Sequence, residues 1–271
     1  MTAANTTSGI RTEVRDAVGT VEISNPARRN ALSVAMMTEL AAALRTLDED
    51  PAVRVVVLRG AGEDAFVSGA DISEFPDRQD ATARQAADRA AGALFTQLSA
   101  VSVPVIARIH GYCIGAGMAL ALGADIRYAD TRSVLAIPAA RLGVGYPLAQ
   151  TAALIQAVGP SAASDVLFTG RRLPASEAHA LGLVDRVVAP EELGEEVDEL
   201  AATIAANAPL SVRAAKASIR AVRRLSEGDG EVAEAARRLA EQAVDRCHTS
   251  HDLREGALAF LDKRRPRFTG H

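Results

Sequence analysis

The sequence predicts an α/β protein built on a mainly parallel sheet, and three observations carry that expectation. Val53–Leu58 and Val105–Ile109 are short, almost wholly apolar runs rich in β-branched residues, the pattern of strands buried on both faces. Each follows a segment with helical spacing of apolar residues, Asn30–Leu47 and Ala81–Leu98, so helix and buried strand alternate as crossover connections require. The chain has 271 residues, 48% of them hydrophobic, enough for one large core with an appendage.

The elements follow in order. Met1–Gly9 is polar and is expected to be a loose tail. Thr12–Ser24 alternates around Ala17-Val18-Gly19 as strand, turn and strand, and Pro26 stops the pairing. Ser33 is placed to cap the first helix. Gly60–Asp71 reads as a loop rich in Gly and Asp. The strand at Val105 is entered through Pro104, where proline gives up no interior ladder bond. Gly115–Leu122 reads as a short helix of small residues, Ile126–Tyr128 and Val134–Ile137 as strands, and Ala149–Val158 and Ala162–Leu167 as helices. Beyond the brief strand signal at Val184–Val188 the chain turns helical: Pro190–Asn207, Ser211–Leu225, Asp229–Cys247 and Ser250–Lys263 are amphipathic, with Ser250 as a cap and Pro266 as a stop. Ala208-Pro209 and Glu227–Gly230 read as turns between these helices. Helices this apolar on one side, attached to an α/β core, are expected to pack on another subunit.

Composition excludes several functions. The net charge is -4 and the 30 Lys plus Arg are spread along the chain, which argues against nucleic acid; the basic cluster Lys263, Arg264, Arg265 and Arg267 reads as solvated surface or as a local contact for one phosphate-bearing ligand. Cys113 and Cys247 are isolated thiols without metal-ligand spacing, so no disulfide framework or metal site is expected and a reducing cytoplasm fits. The start is polar where a signal peptide would be apolar, and the longest small-apolar run, Gly111–Ala124, is shorter than the roughly 20 residues that span a bilayer.

Three segments place glycines and tight turns beside buried strands: Ala65–Ile72, His110–Leu120 and Ile137–Tyr146. Glycine lets a backbone pass close to a ligand with its N–H groups turned outward. In the second segment those groups would sit at a helix N-terminus, which favours negative charge. One N–H from each of the first two segments would make an oxyanion hole; the simpler alternative is that the glycines only allow tight turns and close packing.

Taken together and in order, these segments resemble the crotonase family, also called the enoyl-CoA hydratase/isomerase family. The resemblance spans Thr12–Phe268 and rests on Asn25-Pro26 with Asn30-Ala31-Leu32, Ala65-Phe66 with Gly69-Ala70-Asp71, the Gly111–Gly117 helix start, Gly159-Pro160, Phe168–Arg171, Ala180–Val184 and Asp252–Phe268. It implies a crotonase (ClpP-like) spiral of ββα units over residues 10–200, a helical trimerisation region over 201–271, a homotrimer or dimer of trimers, and a CoA thioester as ligand with no separate cofactor. Carried over by position, the oxyanion hole would be the N–H groups of Ala70 and Ala116. Gly69 to Ser73, including Asp71 and Ile72, would line the adenine and pantetheine side, with Arg28 and Ala65 nearby.

The pattern departs from the family at two positions. Hydratases of the family resemble one another in using two glutamates, one to activate water and one to protonate the α-carbon, and the matching residues are Ala119 and Ala139. Each general acid or base contributes typically 10² to 10⁴ in rate, so ordinary hydratase activity is not expected. Asp71 and Asp125 are expected to serve structure, Glu74 to be solvated, and His110 to be buried and hydrogen-bonded. Cys113 is expected to face the site, without a basic neighbour that would make it a nucleophile. Tyr146 and Arg141 remain as polar candidates on the acyl wall: Tyr146 to hydrogen-bond the acyl group, Arg141 to pair with an acidic tail or with another subunit. The reading left open is enolate chemistry that begins another way, such as decarboxylation, or an acyl-CoA binding protein without turnover.

Overall fold

A computed structural model describes residues 7–74, 80–227 and 230–271. Its first element pair is a hairpin, β1 (Gly9–Arg15) and β2 (Val18–Ser24), joined through Asp16 and Ala17. Both turn residues have positive φ, 49° and 65°, as a two-residue hairpin matched to strand twist requires. The turn therefore lies one residue earlier than the Ala17–Gly19 expected. Of the tail expected over Met1–Gly9, residues 1–6 lie outside the described residues, and Gly9 already pairs with Ser24.

From there strands and helices alternate. α1 (Val34–Glu49) starts where Ser33 Oγ accepts the Met36 N–H, and β3 (Val55–Gly60), α2 (Ala81–Ala100), β5 (Val105–Ile109), β7 (Ile126–Asp130) and β10 (Arg186–Val188) follow as the periodicity predicts. The six-stranded sheet has the order β1-β2-β3-β5-β7-β10, parallel except for the β1–β2 hairpin. Its one face carries the main core with α1 and α2, including Leu40, Leu44, Leu58, Leu94 and Ile109. The other is covered by α6 (Leu193–Ala206) through Val55, Val57, Ile106, Val197 and Ala201.

A second sheet is a correction to the sequence reading. Within the expected loop Gly60–Asp71 lies β4 (Ala65–Val67), and β6 (Tyr112–Ile114) follows His110. With β8 (Val134–Ala136) and β9 (Leu173–Pro174) they form a four-stranded sheet, β4-β6-β8-β9. Two- and three-residue strands hold too few positions for a period to show. The six-residue helix α5 (Ala175–Ala180) is missed for the same reason.

α3 (Ala116–Gly123) matches the expected short helix. The two helices expected over 149–167 form one element, α4 (Leu148–Thr169), broken at Gly159 (φ 77°, ψ 165°) just before Pro160. The C-terminal helices are α7 (Pro209–Glu227), α8 (Gly230–His248) and α9 (His251–Leu261); residues 228–229, within the expected turn, lie outside the described residues. α9 ends two residues before the expected Lys263, whose φ of 55° is incompatible with helix. Among the described residues no helix is long and apolar enough to cross a membrane.

Candidate functional site

The site is prepared by two buried asparagines. Asn30, 2% exposed, accepts the Asn25 N–H on Oδ1 and donates from Nδ2 to the carbonyls of Ala61 and Ala65. Asn25 Nδ2 donates to Ala31 O at 2.9 Å. These bonds tie the end of β2 to the start of β4 and leave Leu32 extended beside residues 69–71. Leu32 N–H then donates to Gly69 O, and Asp71 N–H donates to Leu32 O, both at 2.8 Å. In such a parallel bridge the ladder bonds belong to the neighbours of Ala70, so the Ala70 N–H points to the opposite side.

On that side lies the start of α3. Gly115, at φ 54°, turns β6 into the helix, and its N–H donates to Ala136 O on β8. A Cβ on Gly115 would stand 3.9 Å from Gly69 Cα, and one on Gly69 (φ 125°) 3.6 Å from Ile114 O. The two turns thus touch through glycines that no other residue replaces without strain. Ala116 is the first helical residue, whose N–H has no intrahelical acceptor. Neither Ala70 N–H nor Ala116 N–H donates to a described residue, and both residues are half-buried against the core. The structure therefore brings together two free peptide donors from distant segments, one at a helix N-terminus.

Around this pair the other candidates sort by what they touch. Ala119, 6% exposed, lies one helical turn from Ala116, and Ala139 opens the 3₁₀ turn Ala139–Leu142 that follows β8. Their methyls carry no titratable proton, so the wall here is apolar. Tyr146 packs on the core near Cys113, and its hydroxyl is buried with no partner among the described residues. Burial, followed by the nearby Cys113, pushes the phenol up, so it stays protonated. Arg141 is exposed, its stem lying over Gly170 at the end of α4, with no ion pair to a described residue.

Asp71 is buried and accepts from Ser73 N–H and Oγ at 2.9 and 2.7 Å, while Arg28 Nη1 lies 3.2 Å away. Burial raises its carboxyl, but the Ser73 bonds and Arg28 outweigh it and hold it below the ordinary value. Asp71 is the brace of the Ile72–Glu74 turn. Ser73 is exposed on that turn beside Ile72, which is 59% exposed. The Ala65 side chain is wholly buried in β4; its carbonyl is held by Asn30.

Four expectations of single residues change or sharpen. Cys113 is wholly buried, its thiol donating toward Met118 Sδ at 3.6 Å, and burial pushes its pKa up, so it does not face the site. Glu74 is half-buried and partnered, against the expected solvation: its Oε2 accepts the Val34 N–H at the start of α1. His110 is half-buried, but its Nε2 has no partner among the described residues. Asp125 is structural as expected, accepting from Val105 N–H and Lys216 Nζ at 2.7 and 2.6 Å.

These features define an α/β protein of two sheets with a candidate site built from backbone donors and an apolar wall. The sequence profile described as enoyl-CoA hydratase/isomerase matches residues 13–271. A crotonyl-CoA hydratase of Syntrophomonas wolfei is 34% identical over 94% of this chain and 96% of its own. A putative enoyl-CoA hydratase of Thermus thermophilus is 37% identical over 93% and 97%. The crystal structure titled as an enoyl-CoA hydratase/carnithine racemase from Magnetospirillum magneticum superposes with a TM-score of 0.90 at 36% identity, covering 98% of this chain and 97% of that one. The chain belongs to the enoyl-CoA hydratase/isomerase family, and its fold is the crotonase fold.

Proposed function

We propose that this protein binds an acyl-CoA thioester and polarises its carbonyl through the N–H groups of Ala70 and Ala116. The observation that carries the reading is the pair of unpartnered peptide donors on touching turns. Donors of this kind, fixed before the reaction, stabilise negative charge as it develops on a carbonyl oxygen. Gly69, Asp71, Ile72 and Ser73, with Arg28 and Ala65, form the side along which the CoA moiety lies, Arg28 being held there by Asp71. The C-terminal helices expose Ile219, Val222, Leu239 and Leu258, which supports a trimer or dimer of trimers over residues 201–271.

With Ala119 and Ala139 at the positions where family hydratases resemble one another in carrying glutamates, no carboxylate activates water. What remains is stabilisation of an enolate formed another way. Loss of CO2 from a malonyl-type thioester leaves its bonding electron pair as the enolate, and in this reading Tyr146, whose hydroxyl has no partner among the described residues, hydrogen-bonds the acyl group. A second reading, an acyl-CoA binding protein without turnover, is favoured by the same two alanines.

Turnover of crotonyl-CoA and of malonyl-CoA, each followed spectrophotometrically with the parent and Tyr146→Phe, separates the readings. Decarboxylation that falls at least tenfold in Tyr146→Phe supports the first. Tight CoA-ester binding with no turnover of any ester leaves only the second. Crotonyl-CoA hydration at rates usual for enzymes, above about 1 s⁻¹, would refute the role given to the two alanines.

A further inference from the structure

The α6-covered face of the six-stranded sheet is apolar at one end only. Val55 and Val57 on β3 and Ile106 on β5 pack under α6. Two residues further along the same strands, the alternation that keeps side chains on this face reaches Arg59 and Arg108. By register, Arg59 stands opposite Arg108 on one side and Glu22 on the other. Like charges placed opposite one another on neighbouring strands are destabilising, and only Arg59 has a carboxylate: its Nη2 lies 2.9 Å from Glu22 Oε2. Glu22 is also shared with Arg11 at 3.1 Å.

Arg108 has no hydrogen bond or ion pair to a described residue. Burial and then Arg59 depress its basicity, with Asp198 offsetting only part of the effect. A half-buried guanidinium without an acceptor is costly. Around it the carboxyl ends of β3, β5 and β7 enclose a cavity of about 170 Å³, with Arg132 and the exposed carboxylate of Glu63 also in its lining. Arg132 is exposed and likewise unpaired among the described residues. Asp130, on the cavity wall, is turned to the Ser133 hydroxyl at 2.7 Å.

Two further nitrogens of the lining, Arg59 Nε and His110 Nε2, are buried without a partner. The roof is the first turn of α6: a Cβ on Gly194 would stand 3.2 Å from Arg108 Nη2. In the first turn of this 14-residue helix Leu193 N–H already donates to Ala189 O, so Gly194 and Glu195 N–H remain, with the positive end of the helix dipole, beside the first-turn carboxylates of Glu195 and Glu196. Ala70, Ala116, Ala119, Ala139 and Tyr146 are absent from the lining.

We propose that this cavity is a second ligand site, separate from the thioester site, that binds a phosphate group. Arg108 meets it from the sheet, Arg132 from the rim, His110 from the wall in the tautomer that protonates Nε2, and the remaining first-turn N–H groups of α6 from above. Forked guanidinium donors match the oxygens of phosphate, and the cavity has room for the group with several waters. The phosphate is either free inorganic phosphate or that of a monoester.

The test is calorimetric titration of the full chain with inorganic phosphate at constant ionic strength in chloride, then with adenosine monophosphate as a monoester. Saturable one-to-one binding is expected, weakened at least tenfold in Arg108→Gln and at least threefold in Arg132→Gln, and undisturbed by saturating dephospho-coenzyme A, which lacks the monoester of coenzyme A. Tighter binding of the monoester than of phosphate assigns the natural ligand to the esters, and the reverse to the free ion. Arg132 is exposed, so Arg132→Gln decides the matter even if Arg108→Gln does not fold. No saturable heat with either probe, or affinity unchanged in the arginine variants, overturns the proposal. Competitive displacement by dephospho-coenzyme A overturns its separateness from the thioester site.

Discussion

Gly117→Ala adds one methyl to the second residue of α3 and tests whether the approach of this helix to β4 sets the site. In an exposed helix the change would stabilise by about 1 kcal/mol through propensity. Here the new Cβ would overlap the Val67 carbonyl oxygen and stand 3.0 Å from Val67 Cβ. The carbon contact alone is about half an ångström inside the 3.5–4.0 Å optimum, and the oxygen is nearer still. A strand carbonyl cannot rotate away, so α3 must retreat by roughly an ångström.

Overpacking of this kind costs about 1–3 kcal/mol, occasionally more, so the clash outweighs propensity and net destabilisation of about 1–3 kcal/mol is expected. For a chain of this size that lowers Tm by roughly 2–10 °C. The same retreat carries Ala116 N–H away from Ala70 N–H, and an ångström of misplacement costs about 10² in rate. Gly92→Ala is the control: it lies in α2, and a Cβ there meets nothing within 4 Å, so Tm should rise by a few degrees at most. Scanning calorimetry on both variants, with thioester affinity measured alongside, checks the argument. Equal Tm changes in the two variants would sink the reasoning.

Asn30→Ala removes the acceptor of Asn25 N–H and the donor to Ala61 O and Ala65 O, and places alanine at φ 60°. Orphaned buried groups cost about 1–3 kcal/mol each, so a loss of at least ~3 kcal/mol in urea unfolding is expected; less than 1 kcal/mol would show the network to be dispensable. Lys216, 6% exposed, pairs with Asp125 and donates to Val103 O, yet burial lowers its pKa from 10.5 to about 8. Between those values the unfolded chain holds a proton that the folded chain has released, so Lys216 makes stability rise with pH from about 8 to 10.5, by up to ~3 kcal/mol. The difference in unfolding free energy from urea titration between the parent and Lys216→Met should change by that much between pH 7.5 and 10.5, and a difference independent of pH contradicts it. Tyr146→Phe removes a buried hydroxyl that no described residue satisfies, so without ligand Tm should stay level or rise slightly; a fall above 5 °C would point to a structural partner for the hydroxyl.

Much of the chain is determined by local pattern. Val105–Ile109 can only be a buried strand, and Ser33 and Ser250 cap their helices as their positions predict. The motif order carries the family, which the match over residues 13–271 bears out. The absence of carboxylates at Ala119 and Ala139 is likewise a statement about sequence. Tertiary structure decides what period cannot encode. β4 and β6 are three residues each and exist only through pairing, β4 with β6 and β6 also with β8. Glu74 acts as a cap because α1 begins beside it, and Cys113 is hidden because β6 turns it toward Met118. The Ala70 and Ala116 donors become a pair only where Gly69 meets Gly115, and Arg59 confronts Arg108 only through the register of β3 on β5. Local sequence sets which face a side chain takes along its own strand; which neighbour stands opposite it depends on strand pairing across long separations, and both proposed binding features of this protein are of that second kind.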